Sequence, residues 1–426
     1  MKILIKNGTL VVQGKLEKGD LLVENGKIAA LGGSLDAPDA EVSDASGLLV
    51  SPGLIDLHCH LREPGYEYKE DIASGTRAAA RGGFTSVCCM ANTNPVNDTA
   101  SVTVLINEMA RKSGVVRVFP IGAATKGLKG EELSEMGDLK DAGVVAVSDD
   151  GKPILDAGRM RLVMSYARHF GLPVVDHPED PNLVGGGVMN EGYWSTVLGL
   201  RGATRVAEES IIARDCMLAE LEGAHLHIAH ISTAGGAEIV RQFKARGVRI
   251  TADTAPHYLY ATDAWVDGYD TSTRVNPPLR TDNDIAALIA ALKDGTIDCI
   301  ASDHAPHHVD DKNVEYAVAA TGISGLETAL GVCWTALVTP RHFTPEQLLV
   351  KMTASPANIF SLPGVCGKIE PGQPADLTLI DPNAEWTVDA AKFASKGKST
   401  PFHGKKLTGK VVATYVAGQC VYEAEQ

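Results

Sequence analysis

His58 and His60, one residue apart, are the side chains of this chain best placed to do chemistry together. They lie in Leu54-Ile-Asp-Leu-His-Cys-His-Leu-Arg-Glu-Pro-Gly65, whose apolar first half follows Pro52-Gly53 and reads as a buried strand. Successive side chains on a strand point to opposite faces, so the two imidazoles face the same way and can share one metal ion. Pro64-Gly65 ends the run, which puts the pair at the strand's C-terminal end. Taken alone, the spacing also suits two ordinary histidines near a strand end.

The elements that must position them come from the patterning. Strand-like runs at 54–60, 85–91, 116–122, 144–150, 173–177, 225–231, 249–255 and 299–303 alternate with helical stretches. Those stretches are 70–81, 99–113, 131–141, 156–170, 203–222, 235–245, 281–293 and 324–338. Eight β-α units predict an α/β fold, a (β/α)8 TIM barrel, over residues 53–363. An open doubly wound sheet is the competing topology; it usually carries a Gly-rich phosphate loop after its first strand, and none is present. Both ends of the chain read differently. Ile3–Gly8 and Leu21–Gly26 each close on Asn-Gly, a hairpin signal. Ala375–Asp381 and Val411–Ala417 are strand-like, with a turn at Gly418-Gln419. Neither end can bury a core alone, so residues 1–52 and 364–426 are expected to build one small β-sandwich domain together.

Chemistry in such a barrel sits at the carboxyl ends of the strands, and the polar residues there form a set. Strand one brings His58 and His60, strand four Asp149 and Asp150, strand five His177, strand six His230 and strand eight Asp303. Four imidazoles and two carboxylates (His58, His60, Asp150, His177, His230, Asp303) suit one or two Zn²⁺ ions. Each has a plainer reading: His177 or His230 as a hydrogen-bonded core histidine, Asp149 and Asp150 as caps of the turn at Gly151. Five strand ends agreeing favours the metal site.

These residues carry a family resemblance. Asp56-Leu-His-Cys-His-Leu-Arg-Glu-Pro64 and Ala301-Ser-Asp-His-Ala-Pro-His307, with Lys312 five residues on, resemble the two signatures of the dihydroorotases, the longer bacterial type of the amidohydrolase superfamily. Asn92-Thr-Asn-Pro95, Asn276-Pro-Pro278 and Gly367–Leu377 resemble further motifs, so the likeness runs nearly end to end. It implies zinc-dependent, reversible cyclisation of N-carbamoyl-L-aspartate to L-dihydroorotate in pyrimidine biosynthesis. Asp150 then takes the position bridging two metals, where many relatives use a carboxylated lysine; Lys152, past Gly151, is expected to lie beyond the strand. Asp303 is implied as general base and acid. Arg62, Asn94 and His307 are implied as contacts of the substrate carboxylate, and Asn276 of the ring. Without the likeness, Arg62 would be read as a surface ion pair with Glu63 or Glu67, and Asn94 and Asn276 as turn formers. Pro178 and Thr204 depart from the family's usual Cys and Pro and touch loop geometry only.

The rivals are another cyclic amidohydrolase (dihydropyrimidinase, hydantoinase or allantoinase), whose substrate lacks the ring carboxylate, and a non-catalytic partner of aspartate transcarbamoylase. Six competent ligand positions speak against the second. A homodimer, and a complex with aspartate transcarbamoylase, are family expectations. At 426 residues with 44% hydrophobic content and a net charge of −14, the chain has room for a large core and little affinity for nucleic acid. Its start is too short and interrupted for a signal peptide, no run approaches a membrane span, and eight scattered cysteines read as free thiols in a cytoplasm. Residues 308–316 are polar and read as a mobile lid.

Overall fold

A computed structural model describes residues 2–425; Met1 and Gln426, the outer ends of the two expected terminal segments, lie outside it. The eight expected inner strands form as Leu54–Cys59, Phe84–Cys89, Arg117–Pro120, Val147–Ser148, Val174–Asp176, Leu226–Ile228, Ile250–Thr254 and Cys299–Ile300. Every neighbouring pair runs parallel. Parallel bridges join Gly122 to Val147 and Cys59 to His304, so the pairing returns to its starting strand. The fold is a mixed α/β architecture with strands inside and helices outside.

Core packing explains why the ring is stable. Its inner cluster holds Ile55, Leu57, Cys88, Ile121, Val175, Cys299 and Ala301, closed off by Ile359, Phe360 and Leu362. The last three belong to or follow a helix, Ala354–Phe360, which with Pro345–Met352 had no counterpart in the patterning. The former helix buries Ala357, Ile359 and Phe360 in the ring interior, and the latter starts at a capping box of Thr344 and Gln347. Other boundaries moved by a few residues. Strand four shrinks to Val147–Ser148, and the eighth helix ends in a π-helical turn over Trp334–Val338. Between strand five and its helix Val206–Glu222 the chain inserts two short helices and a two-residue parallel pairing, Met189–Asn190 with Gly202–Ala203.

The two ends of the chain do meet. Leu377–Thr387 lies antiparallel to Leu49–Pro52, which runs parallel to Lys2–Val12, and eight strands share one sheet. Ile5, Leu21, Val23, Leu377, Leu379 and Ala413 pack in one cluster from both ends. One expected turn is corrected. Asn25-Gly26 does join Lys15–Glu24 to Lys27–Gly32, but Asn7-Gly8 lies inside a strand. There the register shifts between Ile5 and Gly8, and Asn7 takes the left-handed backbone (φ 61°) of a bulge; the hairpin turns instead at Gln13-Gly14. The later turn sits at Ala417-Gly418, one residue before the expected place.

Candidate metal centre

Strand ends bring the six expected ligands to one place. Nε2 of His58 lies 3.3 Å from Asp150 Oδ1 and 3.6 Å from Asp303 Oδ1. Nε2 of His60 lies 3.6 Å from Asp150 Oδ2 and 3.5 Å from Asp303 Oδ1. On the other side of Asp150, its Oδ1 is 3.7 Å from His177 Nδ1 and 3.9 Å from His230 Nε2, and those two nitrogens are 2.9 Å apart. Two three-residue donor sets result, His58–His60–Asp150 and Asp150–His177–His230, both fully buried and sharing Asp150. Strand alternation holds from His58 to His60. The ladder shifts between Asp56 and Cys59, so Leu57 also reaches the inner cluster.

The donor chemistry fits a cation. Both ring nitrogens of His58, Oδ1 of Asp150 and Nδ1 of His230 are buried without a hydrogen-bond partner. Such orphans are rare in proteins, and the lone pairs of His58 Nε2 and Asp150 Oδ1, which face each other, are what a divalent ion satisfies. Charge says the same. Burial pushes the His58 imidazole down, yet Asp150, Asp303 and Asp253 outweigh it and raise it to about 10. Burial pushes Asp150 and Asp303 up, yet the surrounding imidazoles hold both carboxyls well below the usual range. The cavity is built for positive charge at its centre. Lys152 is exposed and its backbone N–H donates to Asp149, so it lies beyond the strand as expected. Asp149 turns away and accepts the Thr125 backbone N–H at 2.9 Å, a contact to the neighbouring loop in place of a cap at Gly151.

Around these residues stand partners that the sequence reading left unassigned. Asn92 Oδ1 accepts from His60 Nδ1 (3.0 Å), which leaves Nε2 bare toward the centre. Glu179 sits 3.8 Å from His177 Nε2, and Asn276 Nδ2 donates to Glu179 at 3.2 Å while lying 3.3 Å from the same ring nitrogen. Asp253 accepts the His230 backbone N–H (2.7 Å) through one oxygen and meets His227 Nε2 (2.8 Å) through the other. Asp56 accepts the Ser302 N–H at 2.7 Å and ties strand one to strand eight. The signal for Asp253 was present: Ile250-Thr-Ala-Asp-Thr254 carries a carboxylate at a strand's end, like the others.

Arg62, Asn94 and His307 lie along the rim. Among the described residues Arg62 forms no ion pair: Glu63 accepts from the Ile72 N–H and Glu67 from the Gly65 N–H instead. Its Nε donates to the Pro306 carbonyl (3.3 Å), and an Nη lies 3.5 Å from His307 Nε2. Asn94 is exposed, and its N–H donates to Pro64 at 2.9 Å. Only glycine fits at 65, because a Cβ there would come 2.0 Å from the Asn94 carbonyl oxygen on a left-handed backbone. The stretch expected as a lid forms a short helix, Val309–Lys312, whose Lys312 Nζ donates to the carbonyls of Arg274, Ala320 and Gly322.

A cyclic set of parallel strands with a His/Asp donor cluster at their carboxyl ends defines an amidohydrolase, and residues 217–422 match the amidohydrolase family. Residues 47–235 match the family described as dihydro-orotase-like. The chain is 55% identical over 425 residues to a dihydroorotase from Pelotomaculum thermopropionicum, covering 99% of each, and 53% identical to one from Geobacter metallireducens, covering 99% of this chain and 100% of that one. It belongs to the dihydroorotase family. Among solved structures it resembles the L-hydantoinase (dihydropyrimidinase) from Arthrobacter aurescens, with a TM-score of 0.90 at 27% identity over 99% of this chain and 96% of that one. A dihydropyrimidinase from Brevibacillus agri, at 24% identity and a TM-score of 0.87 over 99% of this chain and 95% of that one, shares the fold. No helix among the described residues is long and apolar enough to cross a membrane.

Proposed function

We propose that this protein interconverts L-dihydroorotate and N-carbamoyl-L-aspartate, using one or two zinc ions held by His58, His60, Asp150, His177, His230 and Asp303. The observation that carries the reading is the pairing of two donor triads on Asp150 with a rim arginine that has no carboxylate of its own. We read the ring as a (β/α)8 barrel of the TIM type over 53–363 and the terminal segments, 1–52 and 364–426, as a small β-sandwich. The returning strand cycle and the shared sheet support this. Cysteines in the reduced state, six of them buried, suit a cytoplasmic location.

When bound, zinc polarises the scissile carbonyl and acidifies a water. The chain's own residues do the rest. Asp303, facing His58 and His60, stays ionised at neutral pH, takes the proton of the attacking water and delivers it to the departing ring nitrogen. In the synthetic direction it removes the ureido proton and returns it to the departing oxygen. Arg62, Asn94 and His307 receive the ring carboxylate, and Asn276 faces the ring beside His177. Hydantoin and allantoin lack that carboxylate.

Dihydroorotate, hydantoin and allantoin assayed side by side test this. Turnover of dihydroorotate alone, lost on chelation and restored by zinc, is expected. Arg62→Met is expected to lower kcat/KM for dihydroorotate by about 10²–10³ while leaving any hydantoin activity unmoved. Full activity in that variant defeats the carboxylate assignment, and full activity after chelation defeats the metal.

A further inference from the structure

Lys69 lies outside every role given so far, yet its ammonium points into the rim. Its Nζ is 3.2 Å from His307 Nδ1 and 3.1 Å from Asp311 Oδ2, and its side chain is mostly buried. An ammonium carries only donors. It can approach a ring nitrogen at this distance only where that nitrogen presents a lone pair. A neutral imidazole has one N–H, so the hydrogen must sit on Nε2. Nε2 faces the Thr321 carbonyl at 2.9 Å, which can only accept. Two neighbours therefore select the same tautomer; Asp311 Oδ2, 3.7 Å from Nδ1, is beyond hydrogen-bond reach of the ring and is paired with Lys69 at 3.1 Å.

This has a consequence at Arg62. Its Nη and His307 Nε2, 3.5 Å apart, are both donors, so they do not bond to each other. The ring hydrogen is held by the Thr321 carbonyl, so the free donor of the pair is the Arg62 guanidinium, which an anion satisfies. Cationic neighbours also keep the ring neutral: burial first, then Arg62 and Lys69, lower His307 to about 3. Asp311 balances Lys69, so the ammonium is held by the helix Val309–Lys312 as well as by the ring.

We propose that Lys69 is a positioning residue that fixes His307 as the Nε2–H tautomer, so that the one ring hydrogen, held by the Thr321 carbonyl, is shared as a three-centre bond with the substrate carboxylate that enters beside Arg62. The proposal rests on the carboxylate reading of this rim. Lys69 sits on the loop after strand one and Asp311 on the loop after strand eight, so one ammonium ties together the two loops that flank Arg62.

The test is ¹⁵N NMR of the zinc-loaded enzyme labelled at histidine, with His307→Asn identifying the signal. Native protein is expected to show a neutral ring protonated at Nε2. In Lys69→Met the signal is expected to move toward the Nδ1–H form or toward tautomer averaging. KM for dihydroorotate should rise about tenfold with kcat within twofold, and Lys69→Arg, also a pure donor, should restore both. An Nδ1–H or imidazolium signal in the native enzyme overturns the proposal. So does a Lys69→Met enzyme whose tautomer is unchanged, even if its KM rises, since the lysine would then only brace the loops. The resting-state tautomer is read without substrate, so its failure is distinct from failure of the carboxylate reading, which Arg62→Met addresses.

Discussion

The two halves of the metal centre are built in different ways. His58 and His60 come from one strand, and alternation alone aims them; a single side chain, Asn92, fixes the tautomer of His60. His177 and His230 come from two strands, 53 residues apart, and are aimed by a shell of Glu179, Asn276, Asp253 and His227. His230 also needs a left-handed backbone (φ 38°), clamped by Asp253. One half is preorganised by local geometry, the other by contacts distant in sequence. Orientation carried by backbone periodicity costs few supporting residues, whereas orientation assembled across strands spreads over many and is correspondingly easier to damage.

Mutations can break or sharpen this contrast. The largest effect belongs to the residue both halves share. Asp150→Ala is expected to lower turnover by about 10⁴-fold or more and to empty both halves, read as zinc per subunit by elemental analysis. An enzyme that keeps one tightly held zinc and substantial turnover would show that the halves do not depend on Asp150 equally. Next comes the shell of the second half: Asp253→Asn should weaken zinc binding by roughly 10–100-fold, measured by chelator competition, while His58 and His60 keep their share. Asn92→Ala, the matching change in the first half, should cost less than about tenfold, because the strand still aims His60. If Asn92→Ala costs more than Asp253→Asn, the contrast between the halves is wrong.

The smallest effect lies behind the second half. Burial, with His227 and Arg249 nearby, lowers His225 to about 3, and its Nε2 meets Thr251 Oγ1, which also meets His227 Nδ1 at 2.9 Å. Its folded value is below its unfolded one, so the unfolded chain binds the extra proton between about pH 6.5 and 3. Stability from this group is present above pH 6.5 and is lost as pH falls through that window, by at most about 1.4 kcal/mol per pH unit. His225→Gln should flatten the fall of Tm over pH 6 to 4 relative to the native enzyme. An identical slope would remove His225 from the acid sensitivity.

What the sequence reveals of the site follows the same division. His58, His60, Asp150, His177, His230 and Asp303 were legible because each ends a strand with a metal-competent side chain, and the structure gathers all six. Asn92 opens the run Asn92-Thr-Asn-Pro95 with no task legible in the sequence, since only the folded loop shows it against a ring 32 residues away. Glu179 and Lys69 look like any surface charge until a partner about 100 or 240 residues distant is known. In the fold, the eightfold alternation was readable. The helices at 345–360 were not, because the second packs its apolar side under the ring and the first joins the outer core, neither following the β-α repeat. Asn7-Gly8 misled for a physical reason: the left-handed conformation Asn-Gly favours serves a bulge as well as a turn.

Arg62, His230 and Asp303 share a property beyond their position: all three take positive φ (62°, 38° and 47°) although none is glycine. Each such residue stores on the order of 1–3 kcal/mol. A search for heat-resistant variants would be drawn to these places, since glycine or asparagine there would relax the chain. The molecule would gain in melting temperature what it surrendered in turnover, so a thermostabilised relative with relaxed backbone at these three positions should be a poor catalyst.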